Sequence, residues 1–263
     1  NQVYINHPDI LHFSKPTFYK YINEGILTTR NIDLPRKVKY KPRKKDSSRI
    51  SRQTNARINR TYEDYQHFIA SNPLASLVQM DTVIGTGGSK GGTCFLTLLL
   101  VRCCFMIIIP LPYKRMEYVT EAFFWLRNTL GNQDYHRLFE VILTDNGSEF
   151  FDPVSIEVDV ETGEQRTHVF YCDPQAAWQK GALEKNHEYI RYILPKGSSF
   201  AGMTYDKCAL LASHINSVPR ASLNNYSPYD AASLLIGKDV IEKLGIRRIE
   251  ADDVRLNSSL FDN

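Results

Sequence analysis

The spacing of apolar residues changes several times along the chain, and each change marks an element. Residues 77–86 form a short, mostly apolar run that includes Val78-Gln79-Met80-Asp81-Thr82-Val83-Ile84, which predicts a β-strand. Residues 93–112 (TCFLTLLLVRCCFMIIIPLP) form a longer apolar block. It has the length of a membrane span, but Arg102 sits in its middle and Pro110 near its end. A central arginine is expensive in lipid, so the block is read as two buried strands, 93–102 and 103–110, meeting near Arg102-Cys103. The glycine-rich stretch from Thr86 to Gly92 then joins the first two strands as a flexible hairpin. It lacks the Walker spacing and leads into a strand, not a helix, which argues against a phosphate loop.

Helical spacing follows at 115–130, with Val119, Ala122, Phe123, Leu126 and Leu130 on one face. Next come a strand at 140–145, a strand at 168–172, and helices at 181–194 and 205–217. Between the two strands, residues 154–165 alternate apolar and acidic positions and turn at Thr162-Gly163, which predicts a protruding hairpin. Hairpin strands followed by alternating helices and strands predict an α/β fold, a mixed sheet flanked by helices. Upstream, Ser14-Lys15-Pro16-Thr17 is a helix start, Phe18, Tyr21 and Ile22 share a face, and Gly25 is a stop. Tyr62, Tyr65, Phe68 and Ile69 mark a short helix within 61–76. The expected organisation is a DNA-binding helical segment at 1–33, a basic linker and lead-in helix at 34–76, a core at 77–236 and a packing extension at 237–263.

A chain of 263 residues with 43% hydrophobic residues can bury a real core. Its net charge is only +3, but the distribution is uneven. Between 36 and 60 stand Arg36, Lys37, Lys39, Lys41, Arg43, Lys44, Lys45, Arg49, Arg52, Arg57 and Arg60, against the single acid Asp46. That stretch carries +10 and leaves −7 for the remainder. Such a segment suits a polyanion, most simply nucleic acid, or else a solvated linker. The helix after Ser14 resembles the recognition helix of a helix-turn-helix, with Lys15, Thr17, Tyr19 and Lys20 at the end that would approach DNA; a small packing helix is the plainer reading. The five cysteines are odd in number and show no CxxC spacing, so no zinc site or disulfide framework is expected and a reducing, intracellular setting fits. The chain has no recognisable signal peptide, and it opens on Asn1 rather than Met, which leaves room for a further N-terminal piece.

Three acids carry candidate chemistry. Asp81 lies within the first strand, on the face of Gln79 and Val83. Asp145 ends the apolar run Val141-Ile142-Leu143-Thr144 and precedes the turn pair Asn146-Gly147, at the strand end where α/β ligand sites gather. Glu184 opens the helix after Gly181, with His187, Glu188 and Arg191 near its face. Each alone also has an ordinary reading, as an edge-strand acid, a turn acid or a first-turn acid favoured by the helix dipole. Together they form an oxygen-ligand set suited to Mg²⁺. Lys180, Lys185 and Arg191 add positive charge for a DNA backbone.

The segments DTVIG (81–85), TDNGSEF (144–150) and DPQAAWQKGALEKNHEYIR (173–191) resemble the three acidic motifs of the integrase catalytic core. That core is shared by retroviral integrases and DDE insertion-sequence transposases, and the likeness is closest to transposases with an N-terminal helix-turn-helix. Asn216-Ser217-Val218-Pro219-Arg220 and Ser227-Pro228-Tyr229-Asp230-Ala231-Ala232 resemble that group's later segment. The resemblance implies a ribonuclease H-like fold and two-metal phosphoryl transfer by Asp81, Asp145 and Glu184 on two Mg²⁺ ions, with Mn²⁺ able to substitute. It further implies double-stranded DNA, both element ends and target, as substrate, a homo-oligomer on that DNA, no membrane, and a bacterial cytoplasmic, nucleoid-associated location. The 38 residues between Asp145 and Glu184 are more than the family usually has, and the surplus falls in the 154–165 stretch. Two other readings are a DNA-binding regulator without catalysis and a ribonuclease H-type nuclease acting on RNA–DNA hybrids.

Overall fold

The computed structural model describes residues 13–31, 34, 55–86, 92–159 and 162–261. The chain divides into two compact units, Asn1–Arg49 and Ile50–Asn263. In the first, helix α1 (Lys15–Asn23) starts where Ser14 Oγ accepts a hydrogen bond from the Thr17 N–H at 3.4 Å. Phe13 stacks on Phe18 and meets Tyr21 edge-on, and Ile22 is buried. Any helix preceding α1 in a helix-turn-helix falls outside the described residues. So do Arg36, Lys37, Lys39, Lys41, Arg43, Lys44 and Lys45.

In the second unit a 3₁₀ turn, Asn55–Arg57, precedes α2 (Tyr62–Ser71), whose Thr61 and Asp64 close a reciprocal capping box. Strands β1 (Leu77–Ile84), β2 (Cys94–Leu100) and β3 (Phe105–Leu111) follow. Then come α3 (Met116–Leu130), α4 (Asn132–Leu138), β4 (Val141–Thr144), α5 (Pro153–Glu157) and β5 (His168–Tyr171). Helices α6 (Gly181–Ile193), α7 (Tyr205–Asn216), α8 (Pro228–Leu235) and α9 (Lys238–Lys243) complete the unit. The five strands form one sheet in the order β3-β2-β1-β4-β5. β1, β2 and β3 run antiparallel, whereas β4 and β5 run parallel to β1. This mixed sheet flanked by helices has the ribonuclease H-like arrangement that the sequence implies.

The apolar block 93–112 is two strands, as expected, and every residue of β2 is buried. The turn between them is a 3₁₀ segment, Val101–Cys103, followed by Cys104 at φ 52°. Among the described residues, no helix is long and apolar enough to cross a membrane. The face of α3 read from spacing is the buried one: Val119, Ala122, Phe123, Leu126 and Leu130.

The 154–165 stretch differs from expectation. Pro153–Glu157 is helical, because Asp152 caps the Ser155 N–H and Pro153 is preset for a first turn. The chain then reverses near Thr162-Gly163 as expected: Val158 bridges Gln165 antiparallel, the Asp159 N–H donates to Glu164 O at 2.9 Å, and residues 162–166 are exposed. Ile156, Glu157 and Asp159 are buried, and Arg60 forks onto Glu157 at 2.9 and 2.6 Å. The basic stretch therefore ends with an arginine anchored in the core. In the C-terminal stretch, Val240, Ile241, Leu244 and Ile246 are buried.

Candidate active site

β1 pairs with β4 in parallel, so the carboxyl ends of both strands open at the same rim of the sheet. Asp81 lies on β1 opposite Thr97 of β2, and its Oδ1 accepts from the Thr82 N–H at 2.7 Å. Asp145 follows directly after β4, and its Oδ1 accepts from the Gly147 N–H at 3.0 Å. Asn146 ties that turn to β5 by donating to Cys172 O at 2.7 Å. Residues distant in sequence are thus oriented toward one point by short local hydrogen bonds.

That point holds the ammonium of Lys180. Its Nζ lies 3.2 Å from Asp81 Oδ2 and 3.9 Å from Asp145 Oδ2, and donates to Met80 O at 3.1 Å. The lysine closes a 3₁₀ turn, Ala177–Lys180, within a loop braced by Asp173 and Gln179. Gln179 accepts from the Asp173 N–H and donates to its carboxylate, each at 2.8 Å. Burial raises the Asp145 carboxyl above its ordinary value; Lys180 opposes the rise and Asp81 adds to it.

α6 crosses this face of the sheet. Gln79 Oε1 accepts from the Leu183 N–H at 2.9 Å, and His187 Nε2 meets Thr97 Oγ1 at 2.8 Å while that hydroxyl reaches Asp81 O at 3.1 Å. The His187 ring is pushed down to about 4, chiefly by burial, and is therefore neutral at pH 7. Glu184 stands one turn before it, exposed in the first turn of α6. Its carboxylate makes no hydrogen bond or ion pair among the described residues. The structure brings Asp81 and Asp145 together but leaves Glu184 outside their contact. Among the described residues, no group of three or more His, Cys, Asp or Glu side chains is gathered closely enough to hold a metal. The donor chemistry nonetheless fits one hard cation at the aspartate pair, since two carboxylates already share a cationic partner there.

Two expected DNA contacts turn inward. Lys180 is buried between carboxylates, because a lysine in the core needs paired oxygens. Arg191 donates to Ile84 O at 3.1 Å and lies over the Phe200 ring. Lys185 is exposed on α6, and Lys15, Tyr19 and Lys20 are exposed on α1. Thr17 Oγ1 faces Ser14 Oγ at 2.9 Å.

Behind the aspartates lie two groups that the sequence did not single out. Glu149 is 1% exposed, accepts from Thr82 Oγ1 at 2.9 Å and pairs with Lys114 Nζ at 2.9 Å. Its other oxygen, Oε2, is buried without a partner, and a Cβ on Gly147 would stand 2.5 Å from it, so a larger residue there would have to displace the Glu149 carboxylate. Glu149 lies within the TDNGSEF segment, a signal that could have marked it; nothing local marked Lys114. Gly85 is the more tightly constrained glycine, since a Cβ there would meet the buried Phe200 ring at 2.8 Å and Ser198 O at 3.0 Å.

The chain is similar to insertion-sequence transposases. It is 27% identical over 218 residues to the probable transposase for insertion-like sequence element IS1161 of Streptococcus salivarius, an alignment covering 82% of this chain and 57% of that protein. A 72-residue stretch is 33% identical to the transposase for insertion sequence element IS1086 of Cupriavidus metallidurans, covering 27% of this chain and 20% of that protein. An 88-residue stretch is 33% identical to transposase InsI for insertion sequence element IS30A of Escherichia coli K12, covering 34% and 20%. The chain thus spans just over half the length of the first relative and a fifth of the others. No family model matches it.

Proposed function

We propose that this chain is the catalytic portion of a DNA transposase that cuts element ends and joins them to target DNA by metal-dependent phosphoryl transfer. The observation that carries the reading is the convergence of Asp81 and Asp145, from separate strands, on a single cationic atom. Similarity to transposases over most of the chain supports the same reading.

Asp81 and Asp145 would hold a divalent cation, Mg²⁺ or Mn²⁺, and Glu184 would complete the set for a second one. Such ions, when bound, supply Lewis-acid polarisation of the phosphate and a more acidic nucleophile. The chain's own residues orient the reactants. The Thr82 and Gly147 N–H groups fix the two carboxylates, and neutral His187 braces Thr97 beneath Asp81. In the first step a water oxygen attacks phosphorus at the element's end, and a 3′-hydroxyl leaves. In the second, that 3′-hydroxyl attacks a target phosphodiester and another 3′-oxygen leaves, so one P–O bond forms for each broken. Neither step needs a covalent enzyme intermediate, so no serine or tyrosine nucleophile is invoked. Lys185, with Lys15, Tyr19, Lys20 and the basic stretch 36–45, would contribute backbone affinity. A dimer or larger assembly would hold the two ends.

The test is an end-joining assay with labelled element termini, target duplex and Mg²⁺ or Mn²⁺. Asp145→Asn is expected to abolish joining while leaving DNA binding largely intact; undiminished joining by that variant overturns the assignment. The exposed, unpartnered Glu184 is the observation that favours a DNA-binding regulator without catalysis. That reading requires DNA binding with no metal-dependent nicking by the wild-type chain.

A further inference from the structure

Lys180 is a buried cation at the rim of the sheet. Its side chain is 5% exposed, and the ammonium donates to Met80 O at 3.1 Å while standing 3.2 Å from Asp81 Oδ2 and 3.9 Å from Asp145 Oδ2. The ammonium thus donates one hydrogen bond to the β1 backbone and pairs in charge with both carboxylates. Two carboxylates held close together repel each other, and a buried lysine is costly unless paired. Each problem solves the other.

We infer that Lys180 is the built-in counter-cation of the site. It holds the Asp81–Asp145 pair in place before a divalent ion arrives, and its ammonium must withdraw when one binds both oxygens. This inference rests on the proposed metal-dependent function and deepens it. A Mg²⁺ ion binds carboxylate oxygen at about 2.1 Å. An ion bonded to both Oδ2 atoms would therefore take the lone pairs and the space that Lys180 Nζ now uses. Two unscreened cations that close repel strongly. Met80 O lies on the β1 backbone, so the ammonium keeps one acceptor when it retreats. Lys180 acts through the aspartates, as a positioning residue.

The experiment uses the full chain and direct Mn²⁺ binding by isothermal titration calorimetry. Wild type, Lys180→Met and Asp145→Asn are compared, with thermal melts in metal-free and Mn²⁺ buffers. Lys180→Met is expected to bind Mn²⁺ about tenfold or more tightly than wild type, because the competing charge is gone. Its metal-free melting temperature should fall and be recovered by Mn²⁺. Asp145→Asn should bind about tenfold or more weakly. In the wild-type chain, amine labelling read by peptide mass spectrometry should find Lys180 protected without metal and several-fold more reactive with saturating Mn²⁺. Equal or weaker binding by Lys180→Met, with wild-type binding that still depends on Asp145, overturns the inference and leaves the proposed function standing. No Mn²⁺ binding by either wild type or Lys180→Met overturns both. If Lys180→Met does not fold in either buffer, the labelling decides, and unchanged reactivity of Lys180 at saturating Mn²⁺ overturns the inference.

Discussion

The side chain of Gln79 fastens the sheet to the start of α6, its Oε1 accepting from the Leu183 N–H at 2.9 Å. The first N–H groups of a helix have no partner within it, and here a buried glutamine on the central strand supplies one. Gln79 stands two residues before Asp81 on the same face of β1. One side chain therefore sets the start of α6, and with it Glu184, relative to the first aspartate.

Replacing Gln79 with leucine keeps the volume and strands the Leu183 N–H in the core. The expected cost is about 1–3 kcal/mol, read as a lower urea midpoint with an unchanged slope. Gln79→Glu retains an acceptor and should hold the helix start better in metal-free buffer only if the added acid finds a partner. Leucine at this position with wild-type stability would mean that Gln79 does not anchor α6.

Glu149 does for Asp145 what Gln79 does for α6. Its carboxylate joins Thr82, the neighbour of Asp81, to Lys114 and underlies Gly147, whose N–H orients Asp145. Burial lowers the Lys114 pKa, but its hydrogen bond and charge pairing with Glu149 outweigh this and raise it overall. Lys114 keeps 26% of its side chain exposed, so losing Glu149 costs less than the about 3–5 kcal/mol of a fully buried pair, and Glu149→Ala should be destabilised by about 1–3 kcal/mol. The double variant Glu149→Gln with Lys114→Met should be less destabilised than the two single losses summed, with coupling of about 1–3 kcal/mol in a double-mutant cycle. Strict additivity would show that the two charges do not act together.

How much of this was legible in the sequence follows from physical range. Strands β1 to β4 and the acids Asp81 and Asp145 are written locally, as apolar runs and a strand-ending turn. The face of α3 is written in its spacing. The inward turn of Lys180 is not, because a long side chain leaving a 3₁₀ turn takes its direction from the strands around it. The same holds for Glu149 and Arg191. Residues 154–158 misled because Val154, Ile156 and Val158 alternate as a strand would, whereas Asp152 and Pro153 start a helix too short to show its own period. Helices α4 and α9 are similarly brief. Glu184 is legible as a first-turn acid, but its distance from the aspartates depends on how α6 lies over β1, which no local pattern encodes.

Asn216 caps the edge strand β3 at Met106. Its side-chain oxygen accepts from the Met106 N–H and its nitrogen donates to Met106 O, both at 2.8 Å, on the edge strand β3. The asparagine is fully buried at the end of α7, so the segment 216–220 here serves packing. Asn216→Leu leaves two buried backbone groups unpaired, at about 1–3 kcal/mol each before relaxation. The expected result is a lower melting temperature and faster aggregation on heating, as an unpaired edge becomes available. Unchanged values on both counts would contradict this role.

The stability of the chain should fall as the medium is acidified through the range in which His187 would charge if unfolded. Folding depresses its pKa from an ordinary 6.5 to about 4, mainly through burial, with Lys180 and Arg191 adding and Asp81 opposing. Between those values the unfolded state binds a proton that the folded state does not, so stability rises with pH across the window. The contribution is fully present above pH 6.5 and is lost as pH falls toward 4. A shift of that size corresponds to roughly 3 kcal/mol. His187→Gln, which keeps a polar partner for Thr97 without a titrating ring, should flatten this part of the profile in metal-free urea melts. Parallel slopes for wild type and variant between pH 4 and 6.5 would assign the acid sensitivity to other groups.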